Sequence, residues 1–138
     1  MAVHTGLLRM QTAGDGAVVD LTEGVRSVVS RSGVESGVAA VFAVGATVGI
    51  TTIEHEPGAV ADLQALLDRL IPPEGPYRHN ELNHDTNAHS HLRAAVIGPS
   101  ETIPIVGGEL GLGTWQQVVL VDFDDRPRER IVSVQILS

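Results

Sequence analysis

The chain has 138 residues, 43% of them hydrophobic but only 3% aromatic, and its seventeen acids against nine bases give a net charge of −8. That length suits one domain with a single continuous core, which Val, Leu, Ile and Ala must build because Phe42, Tyr77, Trp115 and Phe123 are the only aromatics. The acidic balance repels phosphodiester backbones and anionic membranes and leaves no base-stacking platform, so neither nucleic acid nor membrane is an expected partner.

In chain order, His4 to Gln11 reads as a first strand, closed by the turn Gly14-Asp15-Gly16. Asp20 with Glu23 resembles a capping box. Leu21, Val25, Val28 and Val29 then mark one helical face, and Gly33 stops that helix. The longest uncharged run, Ser36 to Ile53, is short for a membrane span of about 20 residues. Gly37, Gly45 and Gly49 interrupt it, so it reads as two buried strands or one bent strand. No basic flank followed by an apolar run opens the chain, and a cytoplasmic location is expected. Glu56-Pro57-Gly58 launches a helix from about Ala59 to Ile71, striped by Val60, Leu63, Leu67 and Leu70 and ended by Pro72-Pro73. From Glu74 to about His89 the sequence is aperiodic and polar, which predicts a long loop. Asn87 then caps a short helix through Leu92 and Val96, ended by Gly98-Pro99. Strands are expected over Thr102–Val106, Thr114–Phe123 and Glu129–Leu137, the first two joined by a glycine-rich turn. The predicted architecture is a single α+β domain over residues 1–138, mostly antiparallel sheet with two to three helices.

No cysteine and no lysine are present, which excludes thiolate and Schiff-base chemistry and a Walker-type phosphate loop. His79, His84, His89 and His91 crowd one aperiodic segment together with Glu81 and Asp85. Imidazoles and carboxylates are the ordinary ligands of zinc and similar ions. In extended chain His89 and His91 would point the same way and share a metal, whereas in a helix residues two apart diverge by about 200°. Glu54 and Glu56 stand at a strand end, placed for ligation, general-base work or helix capping. Gly111 to Gln116 could form an anion-binding nest, though a plain hairpin explains the same letters. Arg126, Arg128 and Arg130 could grip phosphate or merely solvate one face. Ser90 between two histidines lacks the oriented constellation a triad needs.

Several motifs in order resemble the YjbQ-like family, also called the secondary thiamine-phosphate synthase family. They are Thr51-Thr52-Ile53-Glu54-His55-Glu56-Pro57-Gly58, Tyr77-Arg78-His79, Asp85-Thr86-Asn87-Ala88-His89-Ser90-His91-Leu92, Gly98-Pro99-Ser100 and Gly111-Leu112-Gly113-Thr114-Trp115-Gln116-Gln117. The resemblance implies a homotrimer with a site joining the His-rich segment to the strand end near Glu54. His79 and His91 match histidines typical of the family, and the histidine cluster and the resemblance together predict a divalent metal, zinc or magnesium, on His79, His89 and His91, with catalytic duty for Glu54, Asp85 and His91. Ser90, Thr114 and Gln116 match further polar motif positions and would contact a small anionic or phosphorylated metabolite. Some family members are credited with weak thiamine-phosphate synthase activity, joining a pyrimidine diphosphate to a thiazole phosphate. One departure stands out: the family's His-Thr pair after the Val-Phe strand is Gly45-Ala46 here. His55, His84 or His89 would have to substitute, unless the protein is a non-enzymatic binder of a small metabolite on the same fold. Restoring the pair at positions 45 and 46 is expected to raise metal affinity or activity without unfolding the chain. Finally, His91 is expected at the start of a short helix, whose amides favour an anion or the Asp85 carboxylate.

Overall fold

The computed structural model describes residues 2–138. Alternating apolar residues place two antiparallel sheets face to face, with helices filling the remaining faces. The larger sheet orders as β1 (Val3–Thr12), β8 (Arg128–Leu137), β3 (Ser36–Val44), β5 (Ser100–Val106) and β6 (Glu109–Leu110). The smaller orders as β2 (Ala17–Asp20), β7 (Gln117–Asp122) and β4 (Val48–Ile53). The uncharged run is therefore two strands, split between the two sheets.

The period-two pattern assigns the faces. Ala39, Val41 and Ala43 on β3 and Val132, Val134 and Ile136 on β8 point inward, meeting Val48, Ile50, Val118 and Leu120 of the smaller sheet. Helix α1 (Thr22–Ser32) adds Val25, Val28 and Val29 to this core and ends on Gly33 in the left-handed conformation. Its start differs from the expected box. Asp20 accepts from the amide and hydroxyl of Thr22, while Glu23 pairs with Arg26. The other face of the smaller sheet, with Val119 and Val121, forms a second core with Leu67 of α2 (Pro57–Leu70) and Ala94 of α4 (Ala88–Ile97). Phe123, just beyond β7, closes that core at one end.

The segment expected to be a loop contains a fourth helix, α3 (Arg78–Asn83). Six residues are too few to show a helical period in sequence, and local side-chain bonds stabilise it. The amide of Asn83 donates to the His79 carbonyl, and His84 ends the helix in the left-handed conformation at φ 50°. Among the described residues, no helix is long and apolar enough to cross a membrane.

Candidate functional site

A cavity of about 660 Å³ opens where α2, α3 and α4 meet the end of β7 and the turn before β2. Five carboxylates line it: Asp15, Asp68, Glu74, Asp85 and Asp125. Phe123 and Pro73 supply apolar wall. Arg93 is the one guanidinium, and it is already engaged: Nε and Nη2 donate to the Ile71 carbonyl, and Nη2 also donates to Asp68 at 2.9 Å. This bond network ties α4 to the end of α2 and fixes the cavity's depth.

His89 lies in the cavity wall at only 6% exposure, and its Nδ1 has no hydrogen-bond partner. Burial, reinforced by the Arg93 charge, lowers its pKa below the ordinary histidine value, although Asp125, Asp15 and Asp124 pull the other way. The ring is therefore neutral near pH 7. Asp125 uses one carboxylate oxygen to accept from the Thr86 hydroxyl, while its Oδ1 is buried without a hydrogen bond. Asp15 is held at φ 52° between Gly14 and Gly16, its amide donating to the Asp124 carbonyl at 2.7 Å. Asp15, Asp68, Arg93 and Asp125 carried no signal in the sequence beyond turn and helix letters. Only the positive φ at Asp15, invisible in sequence, marks that position as unusual.

Helix α4 decides the histidine question. His89 and His91 lie two residues apart on it and diverge: His89 faces the cavity, whereas His91 lines a shallow groove with Gly45, Ala46 and Val48. His79 joins His91 instead, with ring centroids 4.6 Å apart and planes tilted by 55°. His79 Nε2 lies 3.0 Å from the Asn87 side-chain oxygen. Asp85 approaches the same nitrogen at 3.7 Å. The expected trio of His79, His89 and His91 is thus a pair plus an outlier. A divalent metal does not fit: among the described residues no three His, Asp or Glu side chains converge on one point. Gly45, beside His91, is the position where the resemblance expects a third imidazole. A Cβ there would lie 2.8 Å from Nη1 of Arg130 and 3.0 Å from Val48. Restoring the histidine therefore requires the end of the Arg130 side chain to shift.

The remaining candidates are scattered. Glu54 is exposed beyond the last residue of β4, while Gly45 and His91 lie before its first, about 20 Å away by strand rise. One chain does not bring Glu54 to the histidines. Glu56 caps α2, accepting from the amides of Gly58 and Ala59. Thr114 and Gln116 are exposed in the glycine-rich turn and do not line the cavity. The expected anion nest there is self-occupied, because the Gly113 amide donates to Gln116 Oε1 and Gln116 Nε2 donates to Thr52. The start of α4 is likewise taken, with the Ala88 amide donating to Asn80 at 3.0 Å. Ser90 is buried with its hydroxyl unpartnered. His84 is exposed, and His55 lies 4.0 Å from Asp20 on the far side of β4. Arg130 and Arg128 are bound internally: Arg130 pairs with Asp122 through Nε and Nη2, and Arg128 with Asp124.

Comparison with known proteins places this geometry among close relatives. A family model described as "UPF0047 protein YjbQ-like" matches residues 7–138. A UPF0047 protein of Methanothermobacter thermautotrophicus is 35% identical over 99% of this chain and 93% of its own length. One of Mycobacterium tuberculosis is 40% identical over 94% and 95% respectively. Among solved structures, a hypothetical protein of Aeropyrum pernix superposes with a TM-score of 0.90 at 36% identity, covering 97% of this chain and 98% of that one. A protein of unknown function from Sulfolobus solfataricus, described as YbjQ-like, gives 0.89 at 30% identity, covering 99% of both.

Proposed function

The chain belongs to the YjbQ-like UPF0047 family, whose function is uncharacterised, and on that premise we propose that it binds a small metabolite in the cavity beside His89 without depending on catalysis. The observation that carries this reading is the buried, neutral His89 whose Nδ1 has no partner in the wall of a 660 Å³ cavity. A polar atom left bare in the interior costs roughly 1–3 kcal/mol unless something binds it. Cavities of about 300–1,000 Å³ with a few convergent polar groups are the usual size for small-molecule sites.

A second reading keeps the transferase, a metal-dependent enzyme with weak thiamine-phosphate synthase activity. The adjacency of His79, His91 and Asp85 supports it. The poor fit for a metal beside Gly45 argues against it. The assembly proposed for either reading is a homotrimer built on the outer face of the larger sheet.

Filling the cavity mouth separates the two readings. Thr86 is exposed on its lip, so Thr86→Trp blocks entry without disturbing a core. A chemically mixed metabolite library, read by thermal shift, is expected to give compounds that stabilise the natural chain and not the variant. Ligand at a hundredfold excess over Kd adds about 2.7 kcal/mol. If no compound discriminates the two proteins, the binding reading fails. Condensation of the pyrimidine and thiazole phosphates at equal rates in both would put a transferase elsewhere on the molecule.

A further inference from the structure

We propose that the cavity's natural ligand is a small organic cation bearing a primary amine. This rests on the reading of the cavity as a ligand site and names the class of ligand. Charge makes the first argument. Asp15, Asp68, Glu74, Asp85 and Asp125 face the space, and the only guanidinium, Arg93, spends its Nε and Nη2 donors on Ile71 and Asp68. Asp68 is paired with Arg93 and Asp125 with Arg126, so a phosphorylated ligand would meet three carboxylates without a guanidinium, Asp15, Glu74 and Asp85, whereas an ammonium lowers the repulsion among them.

The independent argument is His89. Its side chain is more than nine-tenths buried, its ring is neutral, and its unpaired Nδ1 is an acceptor or a lone donor awaiting a partner. Beside it, Oδ1 of Asp125 makes no hydrogen bond, with Arg126 Nε 3.6 Å away. A neutral imidazole lining the cavity together with the Asp15, Glu74 and Asp85 carboxylates suits a group with several N–H donors, and an ammonium has three. Phosphate offers the opposite chemistry. Size excludes a bare metal ion as the full occupant: the space is about 660 Å³, and no three ligands converge on one point among the described residues. Phe123 and Pro73 suit the methylene portion of an amine, and the aromatic face adds attraction for a cation within about 6 Å.

Calorimetric titration of the full chain tests this with four probes: 1,4-diaminobutane, tetramethylammonium, inorganic pyrophosphate and magnesium. The diamine is expected to bind. Tetramethylammonium, equally charged but without N–H donors, should bind at least about tenfold more weakly, one charged hydrogen bond being worth about that much. Asp15→Asn and Asp85→Asn, each isosteric, should each weaken the diamine roughly three- to fivefold. The tetramethylammonium comparison needs no variant, so a misfolded substitution does not blunt the test. Pyrophosphate binding that Thr86→Trp abolishes, with no diamine binding, would overturn the ligand class while leaving the cavity a ligand site. Heat from none of the probes overturns the inference, and diamine binding indifferent to both substitutions and to N–H loss does so too.

Discussion

At the scale of single residues, the most constrained group is a buried ion network beneath the candidate site. Asp122 and Asp124 are essentially unexposed, and Arg130 joins Asp122 to Thr47 while Arg128 reaches Asp124. Burial pushes both carboxyls up, but donors outweigh it. Arg130 and Thr12 hold Asp122 below its ordinary value, and Arg128, the Asp125 amide and Thr47 bring Asp124 down to about 2. A carboxyl lowered on folding stabilises the native state above its unfolded pKa and loses that contribution as pH falls through the folded value. For Asp124, from 3.8 to about 2, this is worth roughly 2.5 kcal/mol. His89 follows the same sign in a higher window, since it folds neutral and begins to favour the unfolded chain as pH drops below 6.5. Urea midpoints measured from pH 8 to 2 should therefore decline in two stages, below 6.5 and below 4. In the Arg130→Met variant, which leaves the buried Asp122 without its guanidinium while Arg128 still holds Asp124, stability at pH 7 should fall by about 3–5 kcal/mol. A single flat profile would contradict the network's role. Gly45→His presses on the same guanidinium and should cost about 1–3 kcal/mol by thermal melt, with no gain in zinc affinity by titration.

At the scale of elements, helix α2 shows what sequence can and cannot disclose. Its apolar stripe and its Pro72-Pro73 stop are plain in the letters, and the helix runs from Pro57 to Leu70. Its cap is Glu56, one of three roles its place at a strand end allowed, and Glu56→Ala should cost about 1 kcal/mol and lower Tm by a few degrees. Substitution of the exposed Glu54 should leave Tm unchanged. An equal loss at both would remove the cap from the account. The long strands were equally legible because one buried face imposes alternation. Two short strands, β2 and β6, and helix α3 were not, since four, two and six residues are too few to carry a period. The site was legible only in part. The histidines announced themselves by composition, and His79 does meet His91. Which face of α4 each histidine occupies depended on a helix boundary, and the carboxylates opposite His89 come from four separate stretches of chain that only the fold brings together.

At the scale of the whole molecule, one surface lacks a partner. Strand alternation that buries Val132, Val134 and Ile136 turns the other face of the larger sheet outward, and among the described residues no helix covers it. Leu7 on β1 stands opposite Ser133 on β8, which stands opposite Phe42 on β3, so these side chains share that outer face. Val44 lies opposite Ile131, and Val3 opposite Leu137, on the same side. Leu7 is 54% exposed and Val44 56%, so exposed apolar side chains stand on β1 and β3 to either side of Ser133 and Ile131 on β8. Exposed apolar side chains clustered on one sheet face mark association surfaces, and burying them at about 25 cal/mol per Å² favours assembly. Closed symmetry is the usual outcome for copies of one chain, and the proposed number is three. Light scattering should return about three times the 14.5 kDa chain mass at micromolar concentration. Phe42→Glu and Leu7→Glu each place a charge on that face, on side chains outside either core, and should give folded monomers with unchanged far-ultraviolet circular dichroism. A monodisperse single-chain mass for the natural protein would sink the assembly. Trimers that survive both charges would move the interface to another face. The exposed Trp115 in its rigid glycine-rich turn is then the next surface to test, since its fluorescence would change on dissociation.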